Sequence, residues 1–418
     1  MPVLRILALI LLISIPVRGS ETNSLTWKDC VRIIISNNLE LKQARQGIVQ
    51  AEADRLSALD AYLPGFSASA GSVFAKSTGV PYPGPRLSVG IGVQQLIFDG
   101  FSSIADIHRG GLMKKAAELN YCIVSANVRQ KARNAYADFI KAKKNIALTA
   151  EILALRQNQY ESVKFQYEAG RENDGAVKSS EADLANARLE SEQALRSLGF
   201  GRKELVYILG VTNADYDFIE ESLPDRPPSD PPDMAALTRT NIKIRYYSIL
   251  RDAAVEQLRS ARGALYPRVS LDAQAGSSGS TLAFGDGRLS LGFNFALPLL
   301  DAPNVISRIS SGKSGLENSR STLEDQSRRL RLDLEESWQN YRDAFSLLEI
   351  RKKYLDAAVE RSTISDSQYS TGLLTFDIWT TIHDNLVNSE KNLLEAESQI
   401  MKAEAVWISD RGGTLEDE

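Results

Sequence analysis

From Val128 to Tyr167, the positions Val128, Ala132, Ala135, Phe139, Ala142, Ile146, Thr149, Leu153, Arg156, Tyr160, Val163 and Tyr167 alternate spacings of four and three. A 3.5-residue repeat held that long predicts a left-handed coiled coil. Shifted by 202 residues the seam returns as Leu330, Leu334, Ser337, Tyr341, Ala344, Leu348, Arg351, Leu355, Ala358, Ser362, Ser365 and Tyr369. A returning helix carries another, Ile382, Leu386, Ser389, Leu393, Ala396, Ile400, Ala403 and Trp407. Many of these side chains are small, so each hairpin is weak alone and needs neighbours. A helix of about 65 residues spans ~98 Å, a length that suits a bridge across a compartment and not a globular core.

The seam is one part of a duplication. Ala61-Tyr62-Leu63-Pro64 recurs as Ala264-Leu265-Tyr266-Pro267, and Gln166-Tyr167-Glu168-Ala169-Gly170 as Gln368-Tyr369-Ser370-Thr371-Gly372. Leu96-Ile97-Phe98-Asp99 recurs as Leu297-Pro298-Leu299-Leu300-Asp301, aligned on the aspartates. The expected division is a first repeat over 21–222, a proline-rich linker over 223–233, a second repeat over 234–410 and a tail over 411–418. Each repeat reads helix, two strands, very long helix, turn, helix. Helices are expected over 25–61, 103–168 and 176–209, then 234–263, 304–370 and 376–409. The two shorter helices of each repeat together match the long one, so they are expected to stack end to end beside it.

Four segments alternate with period two. In 87–98, Leu87, Val89, Ile91, Val93, Gln95 and Ile97 oppose Ser88, Gly90, Gly92 and Gln94; in 289–299, Leu289, Leu291, Phe293, Phe295, Leu297 and Leu299 oppose Ser290, Gly292, Asn294 and Ala296. Segment 269–276 sets Val269, Leu271, Ala273 and Ala275 against Ser270, Asp272, Gln274 and Gly276, and segment 66–74 repeats the pattern more weakly. One greasy face and one small, polar face fit a transmembrane barrel around water, although a soluble sheet over a core also alternates. The helices have already committed their apolar positions to seams, which leaves little to cover such a sheet. Lipid tolerates no open sheet edge, and four strands close no barrel. Strands in a membrane would therefore require copies of the chain: two for a filled interior, three or more for a duct.

Residues 1–20 read as a secretory signal: Arg5, an apolar run over Ile6–Ile15 broken by Ser14, then Pro16-Val17-Arg18-Gly19-Ser20. That run is about half of the ~20 residues a spanning helix needs. The net charge of -4, with acids and bases interspersed, points to no nucleic-acid partner. Without Arg5 and Arg18 it becomes -6. Cys30 and Cys122 read as isolated small hydrophobes, and a disulfide between them stays open because sequence fixes no distance. No catalytic, cofactor or metal constellation stands out: His108 and His383 are the two histidines, both expected to be solvated or packed, and Gly90-Ile91-Gly92 lies on a strand.

Taken together, the duplicated plan, Leu25-Thr26-Trp27, Asn37-Asn38-Leu39-Glu40-Leu41, Tyr62-Leu63-Pro64 and the two hairpin turns resemble the TolC-like outer-membrane efflux family over essentially the whole mature chain. The resemblance implies a mostly α fold with a small β part. Long coiled-coil hairpins would form an α-barrel, and four strands per protomer would join an oligomeric transmembrane β-barrel. It implies a homotrimer in the outer membrane, extending into the periplasm and contacting outer-membrane lipid, a periplasmic adaptor and an inner-membrane transporter. The protein would then be a passive exit duct for efflux or type I secretion, with no enzyme activity and no cofactor.

The resemblance also marks the hairpin tips. Tyr167, Glu172 and Asp174 occupy the first; Ala169, Gly170 and Arg171 with Thr371, Gly372 and Leu373 match adaptor-docking turns. Tyr369 and Asp377 would line the closed aperture, where threefold symmetry gathers carboxylates into a cation-attracting ring. Asp174 and Asp377 also suit plain helix capping. A second carboxylate expected three residues after Asp377 is Thr380 here, which makes the ring less acidic. The rival reading is an exported or periplasmic coiled-coil scaffold without channel activity, which accounts for the seams but not for the strands.

Overall fold

The computed structural model describes residues 24–60, 62–74, 85–212, 216–218, 223–224, 226, 230–279, 287–297 and 302–418. The signal segment 1–20 and part of the proline-rich joint lie outside the described residues. In chain order the elements are β1 (Ser24–Leu25), α1 (Trp27–Asn37), α2 (Leu39–Asp60), β2 (Gly65–Phe74), β3 (Pro85–Phe98), α3 (Ser102–Glu168) and α4 (Asp174–Leu209). There follow β4 (Asp217–Phe218), α5 (Met234–Thr240), α6 (Ile242–Gly263), β5 (Arg268–Gly279), β6 (Gly287–Ala296), α7 (Ala302–Ser370) and α8 (Phe376–Asp410). The fold is mostly helical, with one four-stranded antiparallel sheet. A short parallel pair, β1 on β4, is a further element with no precursor in the expected plan.

The long helices are rods of 67 and 69 residues, each about 100 Å. Beside α3 lie α2 along its first part and α4 along its last; α6 and α8 occupy the gap between α3 and α7 in the same order. Four parallel rods result: α4 with α2, α3, α8 with α6, and α7. The expected end-to-end stacking is thus what the chain does.

Both expected entry helices are interrupted, 25–61 at Asn38 and 234–263 at Asn241, where ψ turns to 132° and 140°. One asparagine serves two helix ends at each break. Asn38 accepts from the Leu41 amide (3.1 Å) and donates to the Ile208 carbonyl of α4 (2.8 Å). Asn241 accepts from the Lys243 amide (2.9 Å) and donates to the Asp410 carbonyl of α8 (2.8 Å). Helix ends leave backbone donors and acceptors unpaired, so an amide carrying both functions splices two short helices into one rod.

The apolar mass gathers around these splices. One core holds Trp27, Ile34, Leu41, Val128, Tyr136, Phe139, Leu205, Leu209 and Phe218; the other holds Leu334, Trp338, Tyr341, Ile400 and Trp407. The α3 seam is buried or half-buried from Val128 to Val163, but Tyr167 at its end is exposed. On α8 the line runs one residue later than its first half suggests: Trp379, His383, Val387 and Leu394 are buried, whereas Ile382, Leu386 and Leu393 are half-buried. A helix wedged between α3 and α7 buries a broad face, and the 3.5-residue line is only one margin of it.

The sheet stands at one end of the rods, where α2 and α6 finish and α3 and α7 begin. Its order is β2-β3-β5-β6, so β2 and β6 are its edges. Register keeps the two residue sets apart. Ala68, Ile91, Ala275 and Leu289 form one cross-strand row, and Ser67, Gly92, Gln274 and Ser290 another on the opposite face. Cys30 is buried, Cys122 half-buried, and no disulfide joins them.

Candidate functional site: the uncovered sheet and the hairpin tips

A sheet in water hides its apolar face. Here β2 and β6 are exposed along their whole length. Phe66 (79%), Leu289 (81%), Leu291 (72%) and Phe293 (76%) stand bare, and among the described residues no helix packs over the sheet. The soluble-sheet reading therefore fails within the protomer. Strands of 10 to 14 residues meet the ~9–11 needed to cross a bilayer. No helix among the described residues is long and apolar enough to do so. The opposite face is a shallow polar concavity lined by serines, glycines, Gln274 and two arginines, Arg86 and Arg288.

At the other end of the rods the chain reverses twice, between α3 and α4 and between α7 and α8. Both turns have the same hydrogen bonds. Gly170 donates to Tyr167 O (2.9 Å) and Arg171 to Gln166 O (2.9 Å); Gly372 donates to Tyr369 O (3.0 Å) and Leu373 to Gln368 O (2.9 Å). This six-to-one closure ends helices through a residue in the left-handed region, and Gly170 and Gly372 have φ of +71° and +77°. A side chain there would be strained even though open space surrounds both. Ala169, Gly170, Arg171, Thr371, Gly372 and Leu373 are all exposed, Leu373 by 80%.

The aspartates expected to cap are each displaced from the cap position. Asn173 caps α4, accepting from the Ala176 amide (3.0 Å), and Asp174 pairs with Lys178 (2.7 Å) one turn on. Thr375 is the cap residue of α8, and Asp377 lies exposed in its first turn with Thr380 half-buried above it. An acid in the first turn still opposes the helix dipole favourably.

Tyr369 sits apart from both. It is buried, its ring stacked on Trp379 at 4.2 Å and 6°, within a cluster with Val163 and Ala176 of the first hairpin. Its hydroxyl donates to Glu172 (3.2 Å), which ties the second tip to the first. Burial, then the Glu172 carboxylate, push the phenol well above its ordinary pKa, so it stays a donor. Behind the stack, Asp366 accepts from the Trp379 indole (2.8 Å) and meets His383 Nε2 (2.8 Å), whose Nδ1 faces Ser362 (3.3 Å). His383 is packed, at 1% side-chain exposure. Further along, Arg156 of α3 pairs with Asp384 of α8, and Lys391 of α8 with Glu190 of α4. Burial raises the nearby Asp183 carboxyl, against the pull of Arg156.

Sequence reasoning missed Trp379 and Asp366, which position Tyr369, and the splicing asparagines. The repeat held a signal for the latter, because Asn38-Leu39 and Asn241-Ile242 sit at equivalent places. Trp379 had none, since stacking across a hairpin follows no period.

Known proteins share this architecture. The CmeC outer membrane channel of Campylobacter jejuni superposes with a TM-score of 0.82 at 16% identity, covering 100% of this chain and 95% of that one. Outer membrane protein VceC of Vibrio cholerae gives 0.81 at 18%, covering 92% and 96%. Outer membrane efflux protein BepC of Brucella suis biovar 1 (strain 1330) is 22% identical over 428 residues, 98% of this chain and 90% of the relative. A family model described as outer membrane efflux protein matches residues 31–211 and 240–406, most of the sequence. With its sheet bare on the apolar side and its rods built for bridging, the chain belongs to the outer membrane efflux protein family.

Proposed function

We propose that three copies of the chain assemble into one exit duct, with a twelve-stranded barrel in the outer membrane and a helical tunnel of twelve rods below it in the periplasm. The observation that carries this reading is the sheet, whose apolar face is uncovered and whose edges, β2 and β6, find no partner strand among the described residues. Hydrocarbon suits that face but not those edges, and pairing β6 of one copy with β2 of the next satisfies both. The rods support the same closure. Leu189, Leu195, Phe200 and Tyr207 are exposed on α4 at one margin, and Leu332, Ile350, Tyr354 and Ile364 on α7 at the other. A scaffold without a membrane role has no use for the bare strands.

The duct does no chemistry. It gives substrates a wet path from the rods through the barrel, and the tips, about 100 Å from the sheet, govern entry. Tyr369 holds the second hairpin to Glu172 of the first, and Asp377 with Thr380 lies at the start of α8, where threefold symmetry would gather three copies of each. The paired exposed turns at Ala169–Arg171 and Thr371–Leu373 are the surface for a periplasmic adaptor that couples the duct to an inner-membrane transporter.

Fractionation, detergent extraction and light scattering test the assembly, and planar-bilayer recording tests the pore. The expected result is a species of three chains, extracted by detergent and not by alkali, that conducts ions. A stable, detergent-free monomer in the soluble periplasmic fraction overturns it.

A further inference from the structure

Given the three-copy barrel proposed above, the polar face of the sheet becomes the wall of the lumen, and its charges are unevenly placed. Strand parity and register assign that wall. β3 contributes Arg86, Ser88, Gly90, Gly92 and Gln94; β5 contributes Arg268, Ser270, Asp272, Gln274, Gly276 and Ser278; β6 contributes Arg288, Ser290, Gly292 and Asn294. Arg86 and Arg288 lie within two residues of the strand ends farthest from the helices, at the outer mouth. Both line the same concavity. Arg86 is exposed and donates to Ser278 Oγ (3.2 Å). Arg288 is exposed in the row Ser69, Gly90, Gly276, Arg288, whose other members are too small to cover it.

Among the described residues, the acid nearest in register and the sole carboxylate on this face is Asp272. It pairs in register with Gln94 and Gly292, four residues down the strand from Gly276, a rise of ~13 Å, which exceeds the ~8–10 Å screening length of physiological salt. Its carboxylate accepts from Ser270 (3.1 Å) instead, and Arg268 lies beyond it toward the helices. The outer half of the wall thus carries two guanidinium groups per chain on a floor of serine and glycine with Val73 beside Arg86, and with no described acid to neutralise them.

We infer that the outer barrel mouth is an anion-binding ring of six arginines, Arg86 and Arg288 from each of three copies, and that it favours exported substrates bearing carboxylate, phosphate or sulfate groups. Twelve strands ~4.8 Å apart and tilted by ~40° enclose a lumen of roughly 12 Å radius, measured to the backbone. The long arginine side chains narrow that opening with forked donors suited to oxyanions. Fixed charges of one sign around a low-dielectric wall concentrate counter-ions. The ring sits at the opposite end of the duct from the carboxylates of Asp377, so it acts on an anionic substrate only at the last stage of exit, within a screening length or so of the mouth.

The test is side-specific block in planar bilayers, with hexacyanoferrate(II) added on the barrel side so that the probe meets the ring without crossing the tips. Wild-type channels are expected to be blocked, and R86Q/R288Q to need about tenfold more probe for half-block, with the chloride-to-potassium permeability ratio falling about threefold. The charge-preserving R86K/R288K is expected to retain block, which separates lost charge from lost folding. Conducting wild-type channels that the anion does not block, or a half-block concentration unchanged in R86Q/R288Q, overturn the ring and leave the duct standing. Wild-type protein that forms no channel at all overturns the duct itself.

Discussion

Removing one oxygen tests the latch between the hairpin tips. Tyr369→Phe keeps the ring on Trp379, 4.2 Å away and nearly parallel, and deletes only the hydroxyl that reaches Glu172 at 3.2 Å. A hydrogen bond to a charged group contributes about 1.5–3 kcal/mol net. This one is long and Glu172 is half-exposed to water, which brings it to about 1 kcal/mol per chain. That is a roughly fivefold shift in a two-state equilibrium. If symmetry makes three latches open together, the shifts multiply to about 150-fold. Single-channel recording reads the open fraction directly, and Tyr369→Phe should raise it by between fivefold and 150-fold. Glu172→Ala should do the same, and the double variant should do no more than either single, because one contact is being removed twice. Open fractions within twofold of wild type for both single variants, or effects that add, would refute the latch.

The face assignment predicts that Leu291→Arg, in the middle of β6 on the greasy side, costs about 2–4 kcal/mol per chain in the bilayer and abolishes assembled trimer in the outer membrane; Ser290→Arg, one residue away on the wet side, should insert with wild-type yield. Asn241→Ala removes a helix cap worth about 1 kcal/mol and leaves the Asp410 carbonyl without its donor, a further ~1 kcal/mol. Amide exchange around residues 242–245 and 408–411 should accelerate about thirtyfold, and unchanged protection would show that the splice does not hold the rod. Glu404 has its carboxyl pushed up, first by burial and against Arg133 at 3.6 Å. The neutral form fits the fold, so stability from this group is complete below the ordinary carboxylate range and is lost as pH rises past the raised value. Glu404→Gln should therefore melt higher than wild type at pH 7.5 and lose that advantage as pH approaches 4.5; a lower melting temperature at pH 7.5 would mean that the Arg133 pairing dominates.

What the sequence determined by itself are the features that local periodicity writes. The heptad positions on α3 and α7 are fixed by which residues share a helical stripe, and the strands by which share a pleat face. Gly170 and Gly372 announce turns because few other residues accept a positive φ. Even the need for further copies was legible, since four alternating strands with nothing to cover them state a geometric problem that one chain cannot solve.

The tertiary structure decided what depends on residues far apart in the chain. Only packing shows that Asn38 and Asn241 each join two helices, because the carbonyls they serve belong to Ile208 and Asp410. Only packing moves the deepest line of α8 onto Trp379, His383 and Val387, since a helix with two neighbours buries more than one stripe. It also set Tyr369 against Glu172 and Trp379, and stood Arg86 and Arg288 on one wall with no described acid nearby. Period and turn chemistry are properties of adjacent residues and survive in a string of letters; a splice, a latch or a pairing of two charges on one wall depends on distance, which the string does not carry.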